Sequence, residues 1–329
     1  MSRRESAELR SSPGRLHVSP PRVASLLPSA TEMVCALGAR EALVGVSHEC
    51  DFPAGVRGLP VLTRTAVRSL GSSAAIDRDV RRVLREALAV YEVDTAALAE
   101  VRPDVIVTQD LCEVCAVSFR DVQRAAREVL GPDVRIVDLH PLRLGDVFDD
   151  LERVAHALGV EASGRRVRRG LEERVAAVGE RSAALGARPA VLTIEWLDPL
   201  MIGGTWMPEL VALAGGRALV TSPGERAPTL AAHELAALDP APEVVLVKPC
   251  GFDLAQTLRR GAELERLFAG LEWPAKSDRR VFVADGNAYF NRPGPRIVDS
   301  LEILAACVHP AAFEDLGRAH AGGFVRLGD

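Results

Sequence analysis

The chain has 329 residues, more than one ordinary core accommodates and enough for two domains. It is 48% hydrophobic and 26% charged, and its net charge of −5 excludes the basic field that a nucleic-acid partner requires. No apolar run approaches the roughly 20 residues needed to cross a bilayer, so no membrane span is expected.

Residues 1–21 read as a disordered, polar N-terminal segment. They lack the apolar stretch of a secretory signal, and no lipid-bearing Cys follows them. The setting expected for the chain as written is the cytoplasm, and the periplasm or cell exterior if a misassigned start hides an export signal. Of 40 basic residues only Lys248 and Lys276 are lysines, which reads as codon bias.

From residue 22 a repeating pattern predicts an α/β lobe to residue 143. Val23–Leu27 is a short apolar run, followed by Ser29 and Glu32 at capping-box spacing and a helix that stops at Gly38. Ala42–Val46 is a second strand, ending in Ser47, His48, Glu49 and Cys50. Pro103 precedes a strand over 104–108, which runs into Cys112, Glu113 and Cys115. A helix over 119–130, capped by Ser118, ends at Gly131, and Val134–Val137 is a further strand. Continuous apolar strands alternating with helices indicate parallel sheets covered on both faces.

Residues 144–186 carry no strand signal and predict a helical bridge interrupted near Gly159. Its second part, about 161–185, is arginine-rich on its polar side and long enough to span two lobes. The strand–helix pattern restarts over 187–310 as a second lobe. Strands are expected at 189–194, 243–247 and 280–284, with helices over 207–214 and up to Cys307. Residues 311–329 are expected to form a loose C-terminal tail.

The chemically distinctive residues fall just past the C-terminal ends of the strands, where open parallel α/β sheets bind ligands. If the lobes face each other, these loops converge on one cleft. The runs SLLPSATE, VGVSHECDFP, RPDVIVTQDLCEVCAV, EWLDP, KPCGFD and DGNAYFNRPGPRIVDSLEIL resemble cobalamin-binding-like members of the periplasmic (solute) binding protein superfamily, which also includes iron-siderophore and haem receptors. The resemblance covers about residues 22–310. It implies two Rossmann-like lobes with parallel sheets, joined by a single long backbone helix, and a non-catalytic role in which a cobalamin, corrinoid or related metal chelate sits in the interlobe cleft. Exported members deliver cargo to an ABC importer permease, so that partner is implied if this chain is exported.

Five of the 14 aromatic residues, Trp196, Trp206, Phe252, Tyr289 and Phe290, fall on the cleft loops and are candidates to stack on a flat macrocycle. Ser29, Glu49, Asn291 and Arg292 are candidate polar contacts. Arg296 reads equally as an anion ligand or a helix-surface residue. Cys112 and Cys115 form a C-x-x-C pair, and Cys50, Cys250 and His48 can complete a set suited to zinc or an iron–sulfur cluster. A redox dithiol, or thiols that line the cleft without metal, fit the same spacing. The alternative function is therefore a metal- or cluster-dependent enzyme or a redox protein. Glu195 and Asp198 could form a catalytic pair, but no recognised catalytic motif accompanies them.

Overall fold

The computed structural model describes residues 20–65, 71–85, 91–109 and 119–328. The N-terminal segment and the pair Cys112 and Cys115 lie outside the described residues.

In the N-terminal lobe the elements run β1 (Val23–Ser25), α1 (Pro28–Ala36), β2 (Leu43–Val46), β3 (Thr63–Thr65), α2 (Ser73–Arg85), β4 (Tyr91–Val93), α3 (Thr95–Val101), β5 (Val105–Gln109), α4 (Phe119–Val129) and β6 (Arg135–Leu139). The main sheet is parallel throughout, in the order β2-β1-β5-β6, while β3 and β4 form a separate antiparallel pair. All five residues of β5 are buried, as expected of a strand covered on both faces.

The bridge is two helices, α5 (Leu144–Leu158) and α6 (Glu161–Ala183). Gly159 separates them in the left-handed region at φ 70°, which glycine enters without a Cβ clash. With 23 residues α6 is about 35 Å long. Its arginines fasten both ends of the molecule. Arg168 pairs with Asp149 and Glu152 of α5, and Arg174 reaches Asp299 and Glu302 in the C-terminal lobe.

That lobe runs β7 (Ala190–Leu197), β8 (Leu200–Ile202), α7 (Met207–Leu213), β9 (Arg217–Ala218), α8 (Ala232–Ala236), β10 (Val244–Val247), α9 (Leu254–Leu258), α10 (Gly261–Phe268), α11 (Pro274–Ser277) and β11 (Val281–Ala284). A π-helical turn (Gly286–Phe290) follows, then α12 (Ile297–Val308), α13 (Glu314–Ala319) and β12 (Phe324–Arg326). The sheet order is β12-β11-β10-β7-β8, with β9 also on β7. It is mixed rather than wholly parallel, because β8 and β12 run antiparallel to their neighbours.

Residues 311–329, expected as a loose tail, thus supply a helix and an edge strand. Phe313 is fully buried, so apolar burial anchors this segment. The capping box expected at Ser29 and Glu32 is also absent. The N-cap is Leu27 with Pro28 at the first helical position, and Glu32 is used elsewhere.

Alternation along the strands divides the core. Val23, Val105, Val107, Val191, Val244 and Leu246 join one core with residues of α1, α5, α6, α7 and α12, so this core is shared by both lobes. The opposite faces build a separate core in each lobe, around Ile106 in the first and Val245 in the second.

Candidate functional site

The segments that follow β1 and β2 in one lobe meet the segment that follows β11 in the other. The strongest crossing begins at β2, where Ser47-His48-Glu49-Cys50-Asp51 turns toward the opposite lobe. Arg292, on the loop between the π-helical turn and α12, donates from Nη1 to Asp51 Oδ1 at 2.5 Å and lies 3.4 Å from Glu32 Oε1. Its Nη2 donates to Asn287 Oδ1 at 3.0 Å and to the Glu49 carbonyl at 3.4 Å. Arg296 closes the network with two hydrogen bonds to Glu32, at 2.6 and 2.9 Å.

Glu32 is only 3% exposed and Arg292 5%. A charge buried this far is stable only with such partners. Burial alone would raise the Asp51 carboxyl, but the hydrogen bond and charge of Arg292, helped by Arg296, hold it below the ordinary carboxylate range. Gly294, in the same loop, packs directly on Ser29 at the start of α1. The network is therefore the fulcrum between the lobes. Arg292 and Asn291, expected as ligand contacts, are engaged by protein groups, and Arg296 is a buried ion-pair partner of Glu32.

Beyond the fulcrum the two lobes present different walls. On the C-terminal side Trp196 and Phe252, at the ends of β7 and β10, sit with ring centroids 5.0 Å apart, tilted by 44°. Trp196 is partly exposed, and its indole nitrogen donates to the Asp198 carbonyl at 3.1 Å. Cys250, partly exposed, is hydrogen-bonded through its backbone to Glu195. Beneath it, fully buried Lys248 donates to Glu195 Oε2 at 2.9 Å and to Asn291 Oδ1 at 3.2 Å. One of only two lysines in the chain is thus a structural ion-pair partner that orients Glu195. Asn291 returns the contact by donating to the Lys248 and Gly286 carbonyls. Here glycine is required, because a Cβ at Gly286 would lie 2.2 Å from the Pro249 oxygen.

On the N-terminal side the wall carries many polar groups beside the exposed ring of Phe52. Ser25, Thr31 and Cys50 form a buried hydrogen-bonded chain, with Thr31 Oγ1 2.7 Å from Ser25 Oγ and 3.1 Å from Cys50 Sγ. Thr63 Oγ1 donates to Ser47 Oγ at 2.9 Å, which leaves it to accept from His48 Nδ1 at 2.7 Å. Three further buried atoms have no hydrogen-bond partner: Ser29 Oγ at the start of α1, and Thr108 Oγ1 and Gln109 Oε1 at the end of β5. Buried polar atoms are normally paired; Asp150 and Arg326 carry such atoms elsewhere, and these three are set apart by lying after β1 and at the end of β5, at one sheet edge.

Two of the expected stacking residues are placed otherwise. Phe290 is fully buried and Trp206 is 5% exposed, and the Trp206 indole nitrogen donates to the Phe290 carbonyl at 3.2 Å. Both anchor the core beneath the loop, because the chain satisfies an indole N–H internally once the ring is buried. Tyr289 is half-buried between Arg296 and His320. Trp196, with Phe252 behind it, is an outward-facing aromatic surface of the C-terminal lobe, and Phe52, 44% exposed beneath Arg296, is one on the N-terminal side.

The expected metal ligands do not assemble among the described residues. Cys50 is 7% exposed, and burial pushes its thiol up to about 11 despite its hydrogen bond with Thr31. His48, Cys50 and Cys250 form no three-donor group. The one such cluster among the described residues is Asp299, Glu302 and His320, all beside the C-terminal segment. Arg174 pairs with both of its carboxylates, and His320 Nε2 lies 2.7 Å from Glu302 Oε2, so its donor atoms already have protein partners. Burial opposes the charged form of Glu302, yet His320 and Arg174 together bring it down to about 2. These residues suit a structural clasp better than a zinc or iron–sulfur site.

Sequence reasoning missed Glu32, Asp51 and Asn287 of the fulcrum. Asp51 directly follows the singled-out Cys50, and Glu32 sits in the SLLPSATE run, but nothing local to either pointed to an arginine more than 200 residues away.

A family model described as periplasmic binding protein matches residues 23–288. No curated protein sequence matches the chain. Among solved structures, a periplasmic heme binding protein from Pseudomonas aeruginosa is 22% identical, with a TM-score of 0.67 over 89% of this chain and 94% of that one. A periplasmic vitamin B12 binding protein of Vibrio cholerae is 17% identical, with a TM-score of 0.62 over 89% and 98%. A possible iron-binding periplasmic solute-binding protein from Staphylococcus epidermidis is 16% identical, with a TM-score of 0.66 over 88% and 99%. At these identities the likeness establishes the shared fold.

Proposed function

The chain belongs to the periplasmic binding protein family, whose members bind solutes without transforming them, and from that premise we propose that it binds a metal chelate of the corrinoid or haem class in the cleft between its lobes. The observation that carries this reading is the pairing of unlike walls. A partly exposed Trp196 backed by Phe252 faces outward from one lobe, and unpartnered polar atoms of Ser29, Thr108 and Gln109 lie at the sheet edge of the other. A flat macrocycle with an apolar face and polar substituents matches both.

Heme and vitamin B12, the named ligands of two similar proteins, fall within this class, and the iron named for a third is the metal of haem. Cys250, partly exposed and hydrogen-bonded through its backbone to Glu195 next to Trp196, enters the reading as a cleft-lining group. The family's periplasmic setting favours the exported alternative over the cytoplasmic one. It also supports a permease as the partner, as does the likeness to an ABC transporter substrate-binding protein from Listeria monocytogenes, with a TM-score of 0.65.

Haemin and cyanocobalamin, titrated into the wild type and Trp196→Ala, test the pose. Loss of the exposed indole should weaken the bound chelate by about 1–3 kcal/mol, the scale of a lost aromatic stack and its buried area. Equal affinity in the two proteins would remove Trp196 from the site.

A further inference from the structure

Residues 71–85, which fall between β3 and β4 in the sequence, are seated on the other lobe. Helix α2 packs on β7, the strand whose end carries Trp196. Ser73, at the start of α2, is fully buried, and both its hydroxyl and its backbone N–H donate to Glu263 Oε2 of α10. The Gly71 carbonyl accepts from Arg260 Nη2 at 2.9 Å. That same guanidinium lies 4.1 Å over the ring of Phe252, whose other neighbour is Trp196.

The segment is thus fastened at its N-terminal end by hydrogen bonds to Glu263 and to Arg260, the residue that covers Phe252. Within α2, Asp77 pairs with Arg81 and Asp79 with Arg82, so much of its charge is balanced inside the helix. A helix held across a cleft by a few hydrogen bonds opens far more readily than the core does.

We propose that α2 is a lid over the Trp196–Phe252 wall, latched by Glu263 on Ser73 and by Arg260 on Gly71. This rests on the cleft being the binding site. Arg260 joins latch to wall, because the group that holds Gly71 also covers Phe252. A ligand seated against that wall meets the lid, and its escape is tied to release of the latch.

The test uses the full chain and its own tryptophans. Trp206 and Trp273 are 5% and 3% exposed, so acrylamide quenching of fluorescence reads mainly Trp196. Glu263→Gln and Ser73→Ala each remove part of the latch and leave Arg260 on Phe252. In both variants, quenching of Trp196 and amide exchange over residues 73–85 should rise several-fold with the unfolding midpoint nearly unchanged. Bound haemin should leave several-fold faster. Unchanged quenching and exchange would overturn the lid, and so would faster exchange with an unaltered haemin off-rate. If the variants open but neither haemin nor cyanocobalamin binds any of the proteins, the chelate reading fails, while the quenching result still supports a lid over that wall.

Discussion

At the scale of single residues, the site separates groups held in fixed roles from groups with capacity to spare. Arg292, Arg296 and Lys248 are committed to carboxylates, whereas Trp196 keeps an exposed face and Ser29, Thr108 and Gln109 keep unpaired atoms. Sequence alone does not sort these. An aromatic or arginine near a strand end looks the same whether it stays partly exposed, as Trp196 does, or fills the core, as Phe290 does. Composition marked the aromatics as scarce and placed them near the cleft, but burial decided among them.

Asp150 gives a residue-scale prediction. Its side chain is 1% exposed, one carboxylate oxygen has no partner, and burial pushes it up to about 7 although Arg153 lies 2.8 Å away. Its folded pKa therefore stands above its unfolded one, and the native state binds the extra proton. The resulting stabilisation is fully present below the ordinary aspartate pKa of about 4 and is lost as pH rises toward 7. Asp150→Asn mimics the protonated form and should remove this decline, gaining about 1–3 kcal/mol relative to wild type at pH 8 compared with pH 4. Chemical denaturation at the two pH values measures it. Parallel pH profiles for the two proteins would show that Asp150 titrates normally.

At the scale of elements, the fulcrum is where tertiary structure adds most to the sequence. The strands were legible as apolar runs bounded by Pro and Gly, as with Pro103 before β5, and the α5–α6 break was legible at Gly159. The pairing of α1 with the loop before α12 was not, because Glu32 and Arg296 lie 264 residues apart. The edge strand β12 was also missed, since a three-residue strand carries too little pattern to separate from a tail. Arg292→Ala should destabilise the protein by about 3 kcal/mol, the low end for breaking a buried ion pair, because Arg296 still neutralises Glu32. Asp51 and Asn287 would lose their partner across the lobes, so amide exchange should quicken over 48–52 and 286–292 together. A change confined to one of these segments would show that the network does not couple the lobes.

At the scale of the whole molecule, one core runs through both lobes behind the cleft, and α6 is pinned to α5 by Arg168 and to α12 by Arg174. Such a frame ties the two lobes together behind the fulcrum, and the lid proposed above makes α2 the piece of the binding face that opens. The account's central claim is that this frame holds a metal chelate against Trp196. The most direct check is anaerobic purification from cells supplemented with cobalt and iron, followed by an absorption spectrum and elemental analysis of the same sample. Corrinoid or haem bands with about one cobalt or iron per chain, lost in Trp196→Ala, are the expected result. Zinc, or iron accompanied by sulfide, with no macrocycle bands and no change in Trp196→Ala, would contradict it and move the chemistry to the cysteines.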